Sequence, residues 1–347
     1  MASISNKAGW SIAIAVSLVL AATLAGWVHA GGPLDPQGAP GVTMKSLSEV
    51  EPRTPISSLP FTISQPGSYY LTGNLGVSTA IDGITVQADD VTIDLNGFEL
   101  NGNGVGSGAF TQGAASPARR NWRVYNGSIV GWGYALYGGS VSHGQIDHVR
   151  ASGIRTAGLY LGAGARVSDC SVEGSGPSTT QGILTGDGSS VESCSTRGFS
   201  IGIWVVSQST VAGCNVIATN IGVSASGSTI ASCRIAAIHQ GINADGQSAI
   251  FGNQIDMTGA SPLACGITFG LGSSSIDGNR VTNSPKGVCL SLNSGSTATR
   301  NSFYNMTTAA FTGYTGNDVP SVVAAGAVTN PLANICVSPP GTCGSTP

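Results

Sequence analysis

The sequence predicts an all-β fold and, within that class, a parallel β-solenoid of about ten coils. The first observation is that no segment shows a helical period with caps, because short β-branched runs are broken by Gly, Asn and Ser every few residues. The second is a row of evenly spaced cysteines, Cys170, Cys194, Cys214 and Cys233, at intervals of 24, 20 and 19 residues. The third is a glycine-aliphatic motif that recurs in phase with them.

Each of these cysteines lies in the same local pattern: an aliphatic residue, two small or polar residues, the cysteine itself, a polar residue and often a second aliphatic residue. We call the place of the cysteine in this pattern the ladder position. The pattern continues without cysteine on both sides, and the predicted ladder positions are Asn96, Gly127, Val149, Cys170, Cys194, Cys214, Cys233, Asn253, Asn279 and Asn301. Small cysteines that share a row with asparagine fit an interior stack, whereas metal ligands converge on one point. Disulfides between stacked neighbours are the alternative.

The glycine-aliphatic motif gives each unit a second short strand, so that about 19–31 residues make one coil. It occurs at "GLYL" (158–161), "GILT" (182–185), "GIWV" (202–205), "GVSA" (222–225), "GINA" (241–244), "GITF" (266–269) and "GVCL" (287–290). Stacked strands lie roughly 4.8 Å apart, so equivalent positions of adjacent coils become neighbours. Leucine-rich repeats need a leucine-dominated consensus and propeller blades need about 40 residues, so neither fits.

Over residues 80–312, the coil of about 20 residues with its Gly-Ile strand and Asn/Cys ladder resembles the right-handed parallel β-helix of the pectate-lyase-like superfamily. Residues 63–100 are similar to the N-terminal capping coil of secreted bacterial β-helix repeat proteins. The resemblance implies a carbohydrate-active protein, a lyase or hydrolase of an acidic polysaccharide, and raises Ca²⁺ as a cofactor; no cofactor is evident from the residues themselves. The signatures of pectate lyases, polygalacturonases and mannuronan epimerases are missing, so none of their catalytic residues is carried over.

Composition narrows the classes of partner. Charged residues make up only 9% of the chain and the formal net charge is −3. No lysine or arginine cluster is present to neutralise phosphates, and "ARRNWR" (118–123) is the densest basic stretch, which argues against nucleic acid. With 41% hydrophobic residues, the chain is not a disordered tail either.

The two ends of the chain predict its organisation. Lys7 precedes an apolar run (10–28), and Val28 and Ala30 form an A-x-A-like site, which is typical of a cleaved signal peptide; a retained membrane anchor is the alternative. The expected organisation is a signal peptide (1–30), a Pro-rich extended leader (31–60), the β-helix (61–315) and a C-terminal tail (316–347). The protein is therefore expected to be secreted, periplasmic or on the cell surface, with no membrane segment after cleavage.

One candidate active site lies beside the ladder. The slot before the ladder residue holds mostly residues that tolerate positive φ, so it is predicted to be a turn. His148 and Asp169 occupy this slot in adjacent coils, and Arg150 follows in a solvent-facing slot. Either His148 and Asp169 simply form turns, or these three residues are catalytic, with cations that stabilise developing charge. Arg123 enters from the preceding connection as a substrate-binding candidate.

A second surface lies on the glycine-aliphatic strand. Its variable slot holds Tyr160 and Trp204, which should point outward because the flanking aliphatic residues point inward. They are two coils apart, roughly 10 Å, a spacing suited to stacking on a glycan chain. The alternative is an apolar patch covered by the loop 174–181.

The four cysteines outside the ladder are candidates for disulfides. Cys336 and Cys343 frame a turn-rich segment and are expected to form a disulfide in an exported protein. Cys265 and Cys289 lie in adjacent coils in slots of apparently opposite parity, which leaves their pairing open.

Function stays open between a polysaccharide lyase or hydrolase, a non-catalytic solenoid that binds a glycan or cell surface, and a structural envelope protein, because one fold hosts many functions.

Overall fold

The computed structural model describes residues 52–112, 118–176, 179–291, 295–313, 317–319, 322–324 and 331–337. These residues form a right-handed parallel β-helix of about 11 turns, with no α-helix among them. Neighbouring coils pair their strands in parallel along the length of the helix. The predicted fold class is therefore confirmed.

Each coil contributes strands to three faces, which follow one another as face 1, face 2 and face 3. Face 1 contains Thr54–Ile56, Gly67–Leu71, Val91–Asp94, Arg166–Ser168, Ser190–Glu192, Thr210–Ala212, Thr229–Ala231, Ala249–Phe251, Ser275–Asp277 and Thr297–Thr299. Face 2 contains Leu75–Gly76, Glu99–Asn101, Ser171–Gly174, Arg234–Ala236, Gln254–Asp256, Arg280–Thr282, Ser302–Tyr304, Val322–Ala324 and Asn334–Val337. Face 3 contains Phe61–Ile63, Ile84–Val86, Gly108–Thr111, Tyr134–Gly138, Ala157–Leu161, Gln181–Thr185, Gln240–Asp245, Cys265–Phe269, Lys286–Leu290 and Ala309–Thr312.

Four long strands bend around a corner and belong to two faces. Trp122–Val130 and Gln145–Ile154 run from face 1 into face 2, and Ser195–Val205 and Asn215–Ser226 run from face 2 into face 3. A separate two-stranded sheet pairs Arg119–Arg120 with Val141–Ser142.

The turn between faces 1 and 2 has the predicted geometry. Its outer slot has a positive φ in nine consecutive coils, at Asn126, His148, Asp169, Ser193, Gly213, Ser232, Gly252, Gly278 and Arg300. The next residue points into the helix, where Cys170, Cys194, Cys214 and Cys233 form a stack of buried free thiols. The asparagines continue the column as a hydrogen-bonded ladder in which Asn253 donates from Nδ2 to Oδ1 of Asn279 at 2.9 Å.

The asparagine ladder is longer than the sequence pattern indicates. Asn279 donates to Asn301 at 3.1 Å, and Asn301 donates to Asn334 at 3.1 Å. Asn334 was missed because Pro331 and Ile335 replace the aliphatic and polar residues that frame the other copies. At the other end, Asn96 is not an interior residue: it is exposed with φ 54°, and Leu95 fills the interior.

A second interior ladder lies at the corner between faces 3 and 1. Its serines are buried, and the backbone N–H of each except the last, Ser296, donates to the hydroxyl of the serine in the next coil, as from Ser189 to Ser209 at 3.1 Å and from Ser248 to Ser274 at 2.9 Å. The N–H of Ser296 donates to Oδ1 of Asn317. The members are Ser189, Ser209, Ser228, Ser248, Ser274 and Ser296. Buried hydroxyls here satisfy backbone donors that the turn leaves unpaired.

The glycine-aliphatic motif marks the corner between faces 2 and 3. A Cβ on Gly222 would lie 2.2 Å from Cγ2 of Ile235 and 2.5 Å from the carbonyl oxygen of Gly241. Only glycine lets the backbone pass this close to the neighbouring coil. Because Gly266 faces inward beside the inward-facing Ile267, the alternation of the strand is broken there.

That break explains the disulfide between Cys265 and Cys289 in adjacent coils. The apparent opposite parity of these two positions does not hold across Gly266. Cys336 is also disulfide-bonded. Its expected partner Cys343 lies outside the described residues, so that pairing stays a prediction.

The helix extends beyond the expected boundaries of 61–315. Thr54–Ile56 pairs with Gly67–Leu71, and Asn334–Val337 pairs with Ser302–Tyr304. Pro55 is tolerated because its strand is the first of face 1 among the described residues, where a missing N–H breaks no ladder. The expected signal peptide and residues 31–51 of the expected leader lie outside the described residues.

Candidate functional site

A groove of about 310 Å³ lies on the outside of the turn between faces 1 and 2. Its lining residues are Gly97, Asn126, Gly127, Ser128, His148, Arg150 and Asp169. All three residues predicted from the sequence as a catalytic cluster are among them. We call this site the turn groove.

Stacking of coils brings the three predicted residues together. Asp147 pairs with Ser168 and Arg150 pairs with Ser171, so His148 and Asp169 occupy the same turn position in adjacent coils. Such positions are roughly 4.8 Å apart. Both residues have a positive φ, 55° and 53°, so each forms the turn and also lines the groove.

A two-residue insertion forms one wall of the turn groove. Asp94 pairs with Tyr125 and Glu99 pairs with Ser128, so residues 95–98 lie opposite only two residues, 126 and 127. Leu95 turns inward, and a Cβ on Gly127 would lie 2.3 Å from its Cβ. The coil thus bulges outward at Gly97, which lines the groove.

Asp94 holds this wall in place. Its side chain is largely buried, and its Oδ1 accepts hydrogen bonds from the backbone N–H of Asn96 at 2.7 Å and from Nδ2 of Asn126 at 3.1 Å. Arg53 donates to Oδ2 of Asp94 at 3.0 Å. Burial and the neighbouring Asp94 raise the pKa of Tyr125, which keeps that hydroxyl protonated.

Asp147 plays the equivalent part beside His148. Arg123 donates to Asp147 from Nε at 3.0 Å and from Nη2 at 3.1 Å, and Nδ1 of His148 lies 3.5 Å from Oδ2 of the same carboxylate. The hydrogen bond to Asp147 raises the pKa of Arg123. Arg123 also lies 4.5 Å over the ring of Tyr125 and is not among the lining residues of the groove.

Sequence reasoning did not assign roles to Asp94 and Asp147. Both occupy the last position of a face 1 strand, immediately before the turn region. The slot that directly precedes the turn therefore carries an acid in two of the coils that line the groove, a signal that the sequence alone contains. Arg150 and Asp169 differ from these residues, because their charged side chains are exposed and form no hydrogen bond or ion pair with any described residue.

The outer surface of face 3 carries a row of apolar side chains. Tyr137, Tyr160, Leu184 and Trp204 follow each other at equivalent positions of successive coils. We call these four residues the face 3 row. Tyr160 and Trp204 were predicted to lie two coils apart, and the register places them so. Trp204 is 39% exposed, and of the loop expected to cover it, residues 177–178 lie outside the described residues.

The structure separates the predicted substrate-binding residues. The turn groove and Arg123 lie at the beginning of the face 1–face 2 turn, whereas Tyr160 and Trp204 lie on face 3. Tyr137 was missed, because Ala135 replaces the glycine of the motif in its coil, opposite Gly158.

The described residues do not offer a calcium site of the kind that the family resemblance raises. Among them, no group of three or more His, Cys, Asp or Glu side chains converges as metal ligands would. Calcium takes about six to eight oxygen ligands, and the lining of the turn groove includes one carboxylate, Asp169. The lining of the turn groove therefore does not fit calcium. In the same residues, no helix has the length and apolarity needed to cross a membrane.

Comparison with known proteins yields likeness of structure alone. No protein-family model matches the chain, and no curated protein matches it. A tailspike protein of the E. coli bacteriophage HK620 is 10% identical, with a TM-score of 0.53 over 79% of this chain and 72% of that one. Other structures of that tailspike contain a pentasaccharide.

Two enzymes show a weaker likeness. The mannuronan C-5 epimerase A-module of Azotobacter vinelandii is 15% identical, with a TM-score of 0.47 over 79% of this chain and 91% of that one. A DFA-IIIase from Arthrobacter chlorophenolicus without its lid is 11% identical, with a TM-score of 0.46 over 80% and 88%. Together with the described coils, the likeness to the tailspike shows that the chain has a right-handed parallel β-helix fold.

Proposed function

We propose that this protein is an exported carbohydrate-active β-helix protein that binds an acidic polysaccharide in the turn groove. One observation carries the proposal: the groove holds the exposed guanidinium of Arg150, without an ionic partner among the described residues, beside the exposed imidazole of His148. An arginine fork recognises carboxylate or sulfate groups by charge-assisted hydrogen bonds. Asn126, Ser128 and Asp169 supply donors and acceptors for sugar hydroxyls.

The ligand class also has support from the fold. The HK620 tailspike, which has this fold, is known in complex with a pentasaccharide. At 10% identity the likeness is one of fold, so the glycan ligand of the present chain is our proposal.

Elimination chemistry at the same groove is the second candidate. It is favoured by the carboxylate of Asp147 beside Nδ1 of His148, an arrangement that orients an imidazole. In this reaction Arg150 binds the uronate carboxylate, and His148 takes the proton from the carbon beside it. The electron pair of that C–H bond forms the C=C bond, the glycosidic C–O bond breaks, and the leaving oxygen is then protonated.

The test uses the purified protein with polyuronates and with neutral glycans of similar length. Affinity electrophoresis and calorimetry measure binding, ultraviolet absorbance detects an unsaturated product, and a reducing-end assay detects hydrolysis. Arg150→Ala is expected to weaken polyuronate binding about 10-fold or more, the effect of one lost charge-assisted contact. Loss of product formation in His148→Ala, with binding retained, would establish the elimination reaction.

Arg234→Ala is the matched control. Arg234 occupies the same solvent-facing slot as Arg150, four coils further along face 2, and is likewise exposed. Equal loss of binding in both variants would indicate non-specific attraction to a basic side chain and would contradict the proposal.

Export is proposed from the sequence of the first 30 residues. In a Gram-negative bacterial host, the protein is expected to leave the cytoplasm with a new N-terminus near Gly31. N-terminal sequencing of the mature protein tests this, and a chain that keeps residues 1–30 in the membrane fraction would contradict it.

A further inference from the structure

We propose that the face 3 row is a second binding surface, independent of the turn groove, for a neutral polysaccharide that lies along the helix axis. The four residues of the row follow one another on successive coils. Because the strands of adjacent coils are roughly 4.8 Å apart, the row extends over about 14 Å. That length exceeds one sugar ring, so the row suits a chain and not a monosaccharide.

The aromatic rings of the row are held in place by the protein. Tyr137 packs edge-on against Tyr134 at 5.1 Å between ring centroids and against Tyr160 at 5.5 Å. The ring of Tyr160 lies against Gly139, where a Cβ would come within 2.5 Å of Cζ. Rings fixed before binding lose little conformational entropy when a ligand stacks on them.

Both ends of the row are accessible. Tyr137 and Trp204 are each 39% exposed, a large fraction for aromatic residues on the outer surface of a sheet. Trp122 and Trp132, by contrast, are buried and donate their indole N–H groups to backbone carbonyl oxygens. An exposed apolar row of this kind, bordered by polar residues, is typical of a binding surface.

Charge distinguishes the ligand of this surface from that of the turn groove. Past Trp204, the same column continues with Ser224 and Asn243. The parallel outward-facing column of the same coils holds Tyr134, Ala157, Gln181, Ile201, Ile221 and Gln240. Over these coils the two columns contain no charged residue. Aromatic faces followed by hydroxyl and amide groups match a ligand that has C–H faces and hydroxyls but no charge.

The experiment titrates neutral glucan and mannan oligosaccharides of two to six residues against the full protein. Calorimetry measures the affinity of every variant. The difference in acrylamide quenching between the unmodified protein and Trp204→Ala gives the contribution of Trp204, since the sequence contains four other tryptophans. We expect affinity to rise with chain length and acrylamide quenching to fall on binding. Trp204→Ala and Tyr137→Ala are each expected to weaken binding at least about 10-fold, as for the loss of an aromatic contact.

Two controls separate this surface from the turn groove and from general loss of apolar area. Arg150→Ala is expected to leave neutral-glycan binding unchanged, so the two proposals can fail separately. Ile217→Ala removes a side chain of similar exposure, 40%, on face 2 and is also expected to leave it unchanged.

Three outcomes would overturn the proposal. The first is that no neutral oligosaccharide shows saturable binding, and the second is that Ile217→Ala weakens binding as much as Trp204→Ala. The third is self-association of the protein in sedimentation velocity that Trp204→Ala abolishes, which would identify a second copy of the chain as the occupant. Circular dichroism of each variant checks that the β-helix is retained.

Discussion

The turn between faces 1 and 2 is built differently in the two halves of the helix. In the N-terminal half, from Val91 to Gly174, the outer slot carries His148 and Asp169, and a two-residue insertion forms the wall of the turn groove. In the C-terminal half, the turn keeps one length and its inner slot carries the asparagine ladder. The comparison indicates that the inner slot of this turn holds the coils together by buried hydrogen bonds, whereas the outer slot forms the groove that we propose as the binding site.

The largest expected effect tests the inner slot. Asn279 accepts hydrogen bonds from the backbone N–H and Nδ2 of Asn253 and donates to Asn301 and to the carbonyl oxygen of Ile250. Asn279→Ala would leave several of these buried groups unpaired, so we expect the free energy of unfolding in urea to fall by about 3–5 kcal/mol. Gln254→Ala, in an exposed slot, is the control and should change it little.

A smaller effect tests the wall of the turn groove. Asp94→Ala removes the acceptor of Asn96 and Asn126 and the partner of Arg53, and we expect a loss of about 2–3 kcal/mol with weaker polyuronate binding. Asp277 occupies the equivalent slot in the C-terminal half, where its partner Arg300 is exposed. Asp277→Ala should change stability little and binding not at all; equal effects of the two substitutions would contradict the difference between the halves.

The smallest expected effect at neutral pH concerns the thiol stack between the halves. The hydrogen bond to the preceding cysteine of the stack, together with burial, raises the pKa of Cys194 and of Cys214 to about 12. The native state therefore keeps protons that the unfolded state loses above about pH 9. Stability should therefore be unchanged below about pH 9 and should fall as the pH rises from about 9 towards 12, because folding then requires the uptake of protons.

Urea unfolding at several pH values measures this dependence. Cys214→Ala should reduce the slope by more than the share of one thiol, because the hydrogen bond with Cys214 also raises the pKa of Cys233. Ser195→Ala, in the outward-facing slot after Cys194, should leave the slope unchanged. An unchanged slope in Cys214→Ala would show that the thiols of the stack are not the groups that titrate. Alkylation of the native protein at pH 8 should leave all four thiols unmodified, because they are buried.

The sequence was sufficient to predict the repeating features of the turn between faces 1 and 2 and of the glycine-aliphatic strand. The ladder column and the positive φ of the slot before it could be predicted from the alignment of the copies. The register of that alignment is well defined, because a shift of one residue would turn every side chain of a strand from the inside of the coil to the outside. The same register predicted that His148, Arg150 and Asp169 would come together, and that Tyr160 and Trp204 would lie two coils apart.

The features that the sequence did not reveal either interrupt the repeat or use residue types that are common elsewhere in the chain. The insertion at residues 95–98 shifted the expected ladder position to Asn96, whereas Leu95 is the interior residue. The serine ladder could not be predicted from the sequence, because serine is equally common in exposed turns. The partners of a side chain, such as Arg123 with Asp147, depend on rotamers that spacing along the chain does not determine.

The insertion at residues 95–98 also has a consequence for how such a protein can diverge. The strand pairs on both sides of it, Asp94 with Tyr125 and Glu99 with Ser128, keep the same partners as in an uninterrupted coil. The disturbance is therefore confined to one corner and does not propagate along the rod. A solenoid of this kind can acquire a new surface by lengthening a single corner, while every strand keeps its neighbours. Corners, not strands, are then the places where related chains should differ in length.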